Sequence, residues 1–170
     1  MKTRIPGVSA AQKDRQIPSQ EKAEQVSKIV GYCSLVILIA LSVVGAVSET
    51  PGSLRHQVQT LPLWFPIVAG FQNKPLAKWA ALPCMTFWLV IMVFIWLFFL
   101  GLPSPVSGTF NPTEIVMTLA VGIASLLGLA VCFRWRTNVR SIVGAGVFLL
   151  FAALQVLAMA ISLTSYIARR

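Results

Sequence analysis

Acidic side chains are nearly missing from this chain: Asp14 is the only aspartate among 170 residues, and Glu21, Glu24, Glu49 and Glu114 are the only glutamates. Histidine occurs once, as His56. General acid–base catalysis and ion relays through a membrane need carboxylates or imidazoles placed together, and the sequence offers no such grouping. A single imidazole supplies neither bis-histidine haem ligation nor a histidine-rich zinc site within one chain. Cys33, Cys84 and Cys132 lie in or beside apolar runs without a CxxC spacing, which argues against a disulfide framework and fits small buried hydrophobes. Neither a glycine-rich phosphate loop nor a histidine-anchored nucleophile is present. The expectation is a non-catalytic chain with no cofactor and no metal.

Aromatic residues are missing from the first 28 positions, although six of the 14 basic residues (Lys2, Arg4, Lys13, Arg15, Lys22, Lys28) lie there. Nucleic-acid surfaces interleave basic groups with stacking rings, so the net charge of +9 is not read as nucleic-acid binding. Anionic lipid headgroups are the expected partner of this segment. Pro6, Gly7 and Pro18, with little hydrophobic pattern between them, make residues 1–18 read as a flexible basic tail.

The remainder is apolar: 56% of the chain is hydrophobic, 11% is charged and the mean hydropathy is +0.78, above the usage of soluble domains. Helix is expected from Ser19 as N-cap, with Glu24 and Lys28 paired one turn apart. Four stretches, at about 29–47, 75–102, 112–133 and 141–167, are long enough for a hydrocarbon core. The predicted architecture is an all-α integral membrane protein, one helical domain over 19–170 with four full transmembrane helices and a short broken apolar segment at 61–71. Asn73 and Pro75 read as the start of the second span. Asn111, Pro112 and Glu114 spell a capping box for the third. Small residues in the third span (Gly122, Ala124, Ser125, Gly128) and the fourth (Gly144, Gly146, Ala152, Ala153) predict that these two pack as a close hairpin.

The short segment, LPLWFPIVAGF, poses a conflict between length and charge. As α-helix it reaches about 16 Å, against a hydrocarbon core of roughly 30 Å. Yet if it crosses, eleven basic residues share the side of the N-terminal tail and three lie opposite; if it does not, the division is eight and six. The positive-inside rule favours crossing, with the tail in the cytoplasm of a multi-pass cell inner-membrane protein. An extended stretch over 57–61 followed by a short helix over 62–70 just reaches across, provided neighbours shield its backbone. Pro62 and Pro66 suit the break and Gly70 the helix end. The alternative is a helix lying flat, with Trp64 and Phe65 at headgroup depth.

A broken helix at membrane depth commonly lines a site, so His56, Gln57 and Gln59 form a candidate polar lid for a headgroup or quinone-like molecule. Gln155, mid-way along the fourth span, is expected to face the bundle and meet a hydroxyl or carbonyl, with Thr86, Thr118 and Ser125 as candidates. Arg134, Arg136 and Arg140 form a turn able to meet a lipid phosphate or a partner's carboxylate. The functional expectation is an accessory, scaffold or assembly subunit of a larger membrane complex, whose partners are membrane lipids and another protein. The alternative is a small transporter, channel or lipid-binding protein acting as a homo-oligomer.

Overall fold

The structure, a computed structural model, describes residues 10–47, 53–106 and 110–164. These form α1 (Ala10–Val47), α2 (Ser53–Thr60), a single 3-10 turn (Leu61–Leu63), α3 (Trp64–Phe71), α4 (Leu76–Phe99), α5 (Pro112–Arg134) and α6 (Ser141–Ser162), with no strand among the described residues. Four of the helices, α1, α4, α5 and α6, are long and apolar enough to cross a membrane. Helix starts earlier than the sequence reading placed it: α1 begins at Ala10, so residues 10–18 are helical and Pro18 lies inside the helix. The stretch AAQKDRQ consists mostly of good helix formers, which explains how helix persists there without an apolar stripe. The expected tail residues 1–9 and the end of the fourth span at 165–167 lie outside the described residues.

Several helix ends follow from local chemistry. The Asn111 side chain accepts from the Thr113 amide, while Glu114 Oε2 accepts from the Asn111 amide at 2.9 Å, forming the capping box. Lys28 Nζ meets Glu24 Oε1 at 2.7 Å on an exposed face. Asn73 takes a different role from the one predicted. It is left-handed (φ 57°) and closes α3: its amide donates to the Gly70 carbonyl, and the Lys74 amide donates to that of Ala69. Such pairing at a left-handed residue ends a helix without wasting its last carbonyls. Gly101 (φ 71°) closes α4 in the same way.

The short segment is helical throughout, which corrects the expected extended half. Pro62 enters at the start of the 3-10 turn, where a missing amide does least harm, and the tighter turn carries the chain around it. Residues 53–71 then rise about 30 Å, because the polar residues before Leu61 supply the length that the apolar part lacks. Their path is antiparallel to α1. Gln57 Nε2 reaches Ser42 Oγ at 3.3 Å, and Ser27 Oγ donates to the Gly70 carbonyl at 3.0 Å. Ser42 and Ser27 stand about 22 Å apart along α1, so the segment descends most of the bundle. Gly70 is therefore a packing residue: a methyl group placed on it would lie 2.8 Å from Gly31 Cα.

The small residues of α5 and α6 do not pack against each other; this expectation is overturned. Gly122 and Gly128 of α5 receive the Trp96 ring and the Met85 thioether of α4, and Gly144 of α6 receives the Trp79 ring. Long α4 side chains fill notches on both neighbours, which places α4 between them. The buried core, including Ile37, Leu63, Met85, Trp88, Val121 and Cys132, draws on α1, the 3-10 turn, α4 and α5.

Candidate functional site

Pro62 has no amide to offer the Val58 carbonyl, and the 3-10 turn draws the Leu63 amide away from Gln59. The freed Gln59 carbonyl accepts from Gln155 Nε2 of α6 at 3.1 Å. The Gln59 side chain in turn donates to Ser162 Oγ at 2.8 Å and contacts Met159 Sδ at 3.3 Å. All three polar residues are buried; Gln155 is 1% exposed. Together they tie a proline-broken helix to the last turns of α6, satisfying backbone that lipid could not.

The predicted residues separate accordingly. Gln59 and Gln155 come together. Gln57 turns to Ser42 and His56 sits against Gly45, where a methyl group would lie 2.9 Å from His56 Cβ, so both face α1 rather than α6. Gln155 finds a carbonyl, as expected of a mid-span amide, but none of the three named partners supplies it. Thr118 Oγ1 donates to the Ile115 carbonyl within its own helix, and Ser125 Oγ has no hydrogen-bond partner. Ser162 and Met159 were missed; Ser162 follows Gln155 by two helical turns on the same face, a spacing that points to it.

Beside this network lies an apolar groove of about 440 Å³ between the broken segment and α6. Val58, Trp64 and Phe65 form one wall, and Phe151, Leu157 and Ala158 the other. The Phe65 and Phe151 rings meet across it, centroids 4.9 Å apart. Trp64 and Leu61 are more than half exposed, so the groove opens sideways, toward where lipid would be. A second apolar cleft, of about 340 Å³, lies between α1 and α5 around Tyr32 and Ile123.

At the opposite end of the bundle, Lys28, Lys74, Lys78, Arg134, Arg136 and Arg140 gather where α3 ends, α4 and α6 begin and α5 finishes. Lys78 Nζ donates to the Trp135 carbonyl at the end of α5, where a cation suits the helix dipole, and its ammonium lies 5.4 Å from the Trp79 ring centre. Arg134, Arg136 and Arg140 are exposed. Among the described side chains the other end holds Glu114 and no cation. Amides, hydroxyls and one charged rim can bind and orient. No metal-ligand cluster occurs among the described residues. Among the described residues, fold and site together define an all-helical protein with four helices long and apolar enough to span a membrane and a proline-broken fifth segment. Comparison with protein-family models, curated proteins and solved structures finds no match.

Proposed function

We propose that this chain is a non-catalytic accessory, scaffold or assembly subunit of a larger membrane complex in a cell inner membrane, with its N-terminal end in the cytoplasm. The observation that carries the reading is the thin cover on α6. Only 22% of its most apolar window is buried, half the 44% of α5. Ile142, Leu149, Leu150 and Val156 point away from the bundle, and around Gly146 nothing lies within 4 Å of an added methyl group. Membrane helices associate where small residues let backbones approach, and that is the kind of surface α6 leaves unused. The polar side chains at membrane depth already hold the broken segment, which favours a structural role for Gln155. The gathering of Lys28, Lys74, Lys78, Arg134, Arg136 and Arg140 at one end supports the cytoplasmic placement of that end.

Gentle detergent extraction followed by mass measurement of the intact assembly tests the proposal. A stoichiometric foreign protein, lost when Gly146 is replaced by Leu, is expected. A monomer or a homo-oligomer overturns the accessory reading. The lateral groove favours a second reading, an oligomeric transporter, channel or lipid-binding protein. Loss of flux or lipid uptake on Gln155→Leu at normal expression would establish that reading in place of the first.

A further inference from the structure

We propose that the arginine rim where α5 ends and α6 begins binds the phosphate headgroup of an anionic phospholipid. Consecutive residues of α4 pin both ends of the chain between these helices. Lys78 Nζ donates to the Trp135 carbonyl, and the Trp79 ring fills the notch at Gly144. Trp135 is buried and its backbone is extended (ψ 113°), so the residues on either side of it, Arg134 and Arg136, are left outside the bundle. Arg140, also exposed, is the N-cap of α6. None of these three guanidinium groups has a hydrogen-bond or ion-pair partner among the described residues. Glu24 of α1 is taken by Lys28, and α4, α6 and the connection between α5 and α6 carry no acid at all. The rim therefore holds positive charge that nothing described in the protein answers.

The apolar surface beside the rim selects the occupant. Ile142, 87% exposed, and Phe133, 75% exposed, are the most exposed large apolar side chains among the described residues, and each lies within two residues of a rim arginine. A molecule with an anionic head and acyl chains covers both surfaces at once, as basic sites between membrane helices do with phosphate headgroups. A free anion covers only the first. An acidic protein segment answers the charge and leaves Ile142 and Phe133 to something else. The residue type is informative as well. Orienting a chain in a membrane asks only for positive charge, which lysine supplies equally. A planar guanidinium meets two phosphate oxygens together, and lysine cannot. This inference holds for either orientation of the chain and stands apart from the accessory reading, because its test reads lipid on purified protein and not the presence of a second protein.

The full chain, purified in detergent, is offered equal amounts of dioleoyl phosphatidylglycerol and dioleoyl phosphatidylcholine, and the lipid retained is counted by native mass spectrometry. Phosphatidylglycerol is expected to be retained about tenfold better. Arg134→Gln, Arg136→Gln and Arg140→Gln combined should abolish that preference. Arg134→Lys, Arg136→Lys and Arg140→Lys combined, which keep the charge, should lower it several-fold. All three side chains are exposed, so neither variant disturbs the core. Lys22→Gln, exposed on α1, should leave the preference unchanged. Millimolar inorganic phosphate should not displace the lipid. Equal retention of the two lipids, or a preference undiminished in the glutamine variant, would overturn the proposal. A lysine variant that keeps the full preference would also overturn it, by reducing the rim to unspecific attraction. Displacement by inorganic phosphate would make the rim a free-anion site and defeat the lipid assignment. An acidic protein cross-linked to the rim in native membranes, excluding phosphatidylglycerol, refutes it too.

Discussion

Replacing Gly70 by Ala adds one methyl group at the point where α3 leans on α1. That group would lie 2.8 Å from both the Cα and the N of Gly31 and 3.0 Å from the Ser27 carbonyl oxygen. All three contacts are backbone, so no side chain can swing aside; the two helices must separate by several tenths of an ångström. Overpacking of this kind costs about 1–3 kcal/mol. Separation also stretches the 3.0 Å Ser27–Gly70 hydrogen bond, worth roughly 0.6–1.7 kcal/mol between membrane helices. Set against the better helix propensity of Ala, about 1 kcal/mol, a net loss of about 1–4 kcal/mol is therefore expected. The mirror substitution behaves differently. A methyl group on Gly31 would find its nearest atoms at 3.4 Å, ordinary contact, and Ala is the better helix former by about 1 kcal/mol, so Gly31→Ala should be near neutral or stabilising. Reversible unfolding in mixed micelles measures both. Equal effects, or a Gly31→Ala variant weaker than Gly70→Ala, would refute the antiparallel descent of the short segment along α1.

Other consequences are as direct. Gln155→Leu leaves the Gln59 carbonyl without a donor in an apolar setting and should destabilise by about 1–3 kcal/mol in the same assay, whereas Ser162→Ala should cost less, since Gln59 keeps Met159 nearby. Asn111→Ala removes the α5 cap and should cost about 1 kcal/mol, visible as a lowered unfolding midpoint. Gly144→Leu drives a side chain into the Trp79 ring and should unfold the bundle, while Gly146→Leu, with open space around it, should leave the isolated chain's stability unchanged. In a cysteine-free background, single cysteines replacing Thr137 and Leu102 should be labelled by an impermeant reagent from opposite sides, Leu102 from outside. The reverse pattern would invert the proposed orientation.

The capping box at Asn111 was readable because every bond in it closes within four residues. The cores of the four long spans were readable because lipid solubility is a property of composition and length. The Glu24–Lys28 pair is likewise one helical turn. The site was only half legible. A glutamine in mid-span announces that it must find a partner, but the partner here is a main-chain carbonyl that exists only because a 3-10 turn diverts the next amide. Thr86, Thr118 and Ser125 were chosen by chemical type, and chemical type says nothing about a carbonyl freed elsewhere. The small residues misled for a related reason. Glycine marks close approach without naming what approaches, and at Gly122 and Gly144 it was a tryptophan ring from α4 rather than the other helix's backbone.

By itself the sequence determined that the chain is helical and apolar and where its long helices lie, since each of these rests on spacing or composition along the chain. Only the tertiary structure decided that residues 53–71 descend beside α1, that α4 stands between α5 and α6, and that Gln155 grips the broken segment. Lipid and bundle interior are equally apolar, so no alternation of polar and apolar residues encodes which helix faces which. Shape and a few hydrogen bonds choose the neighbours, and those appear only when the helices are set side by side.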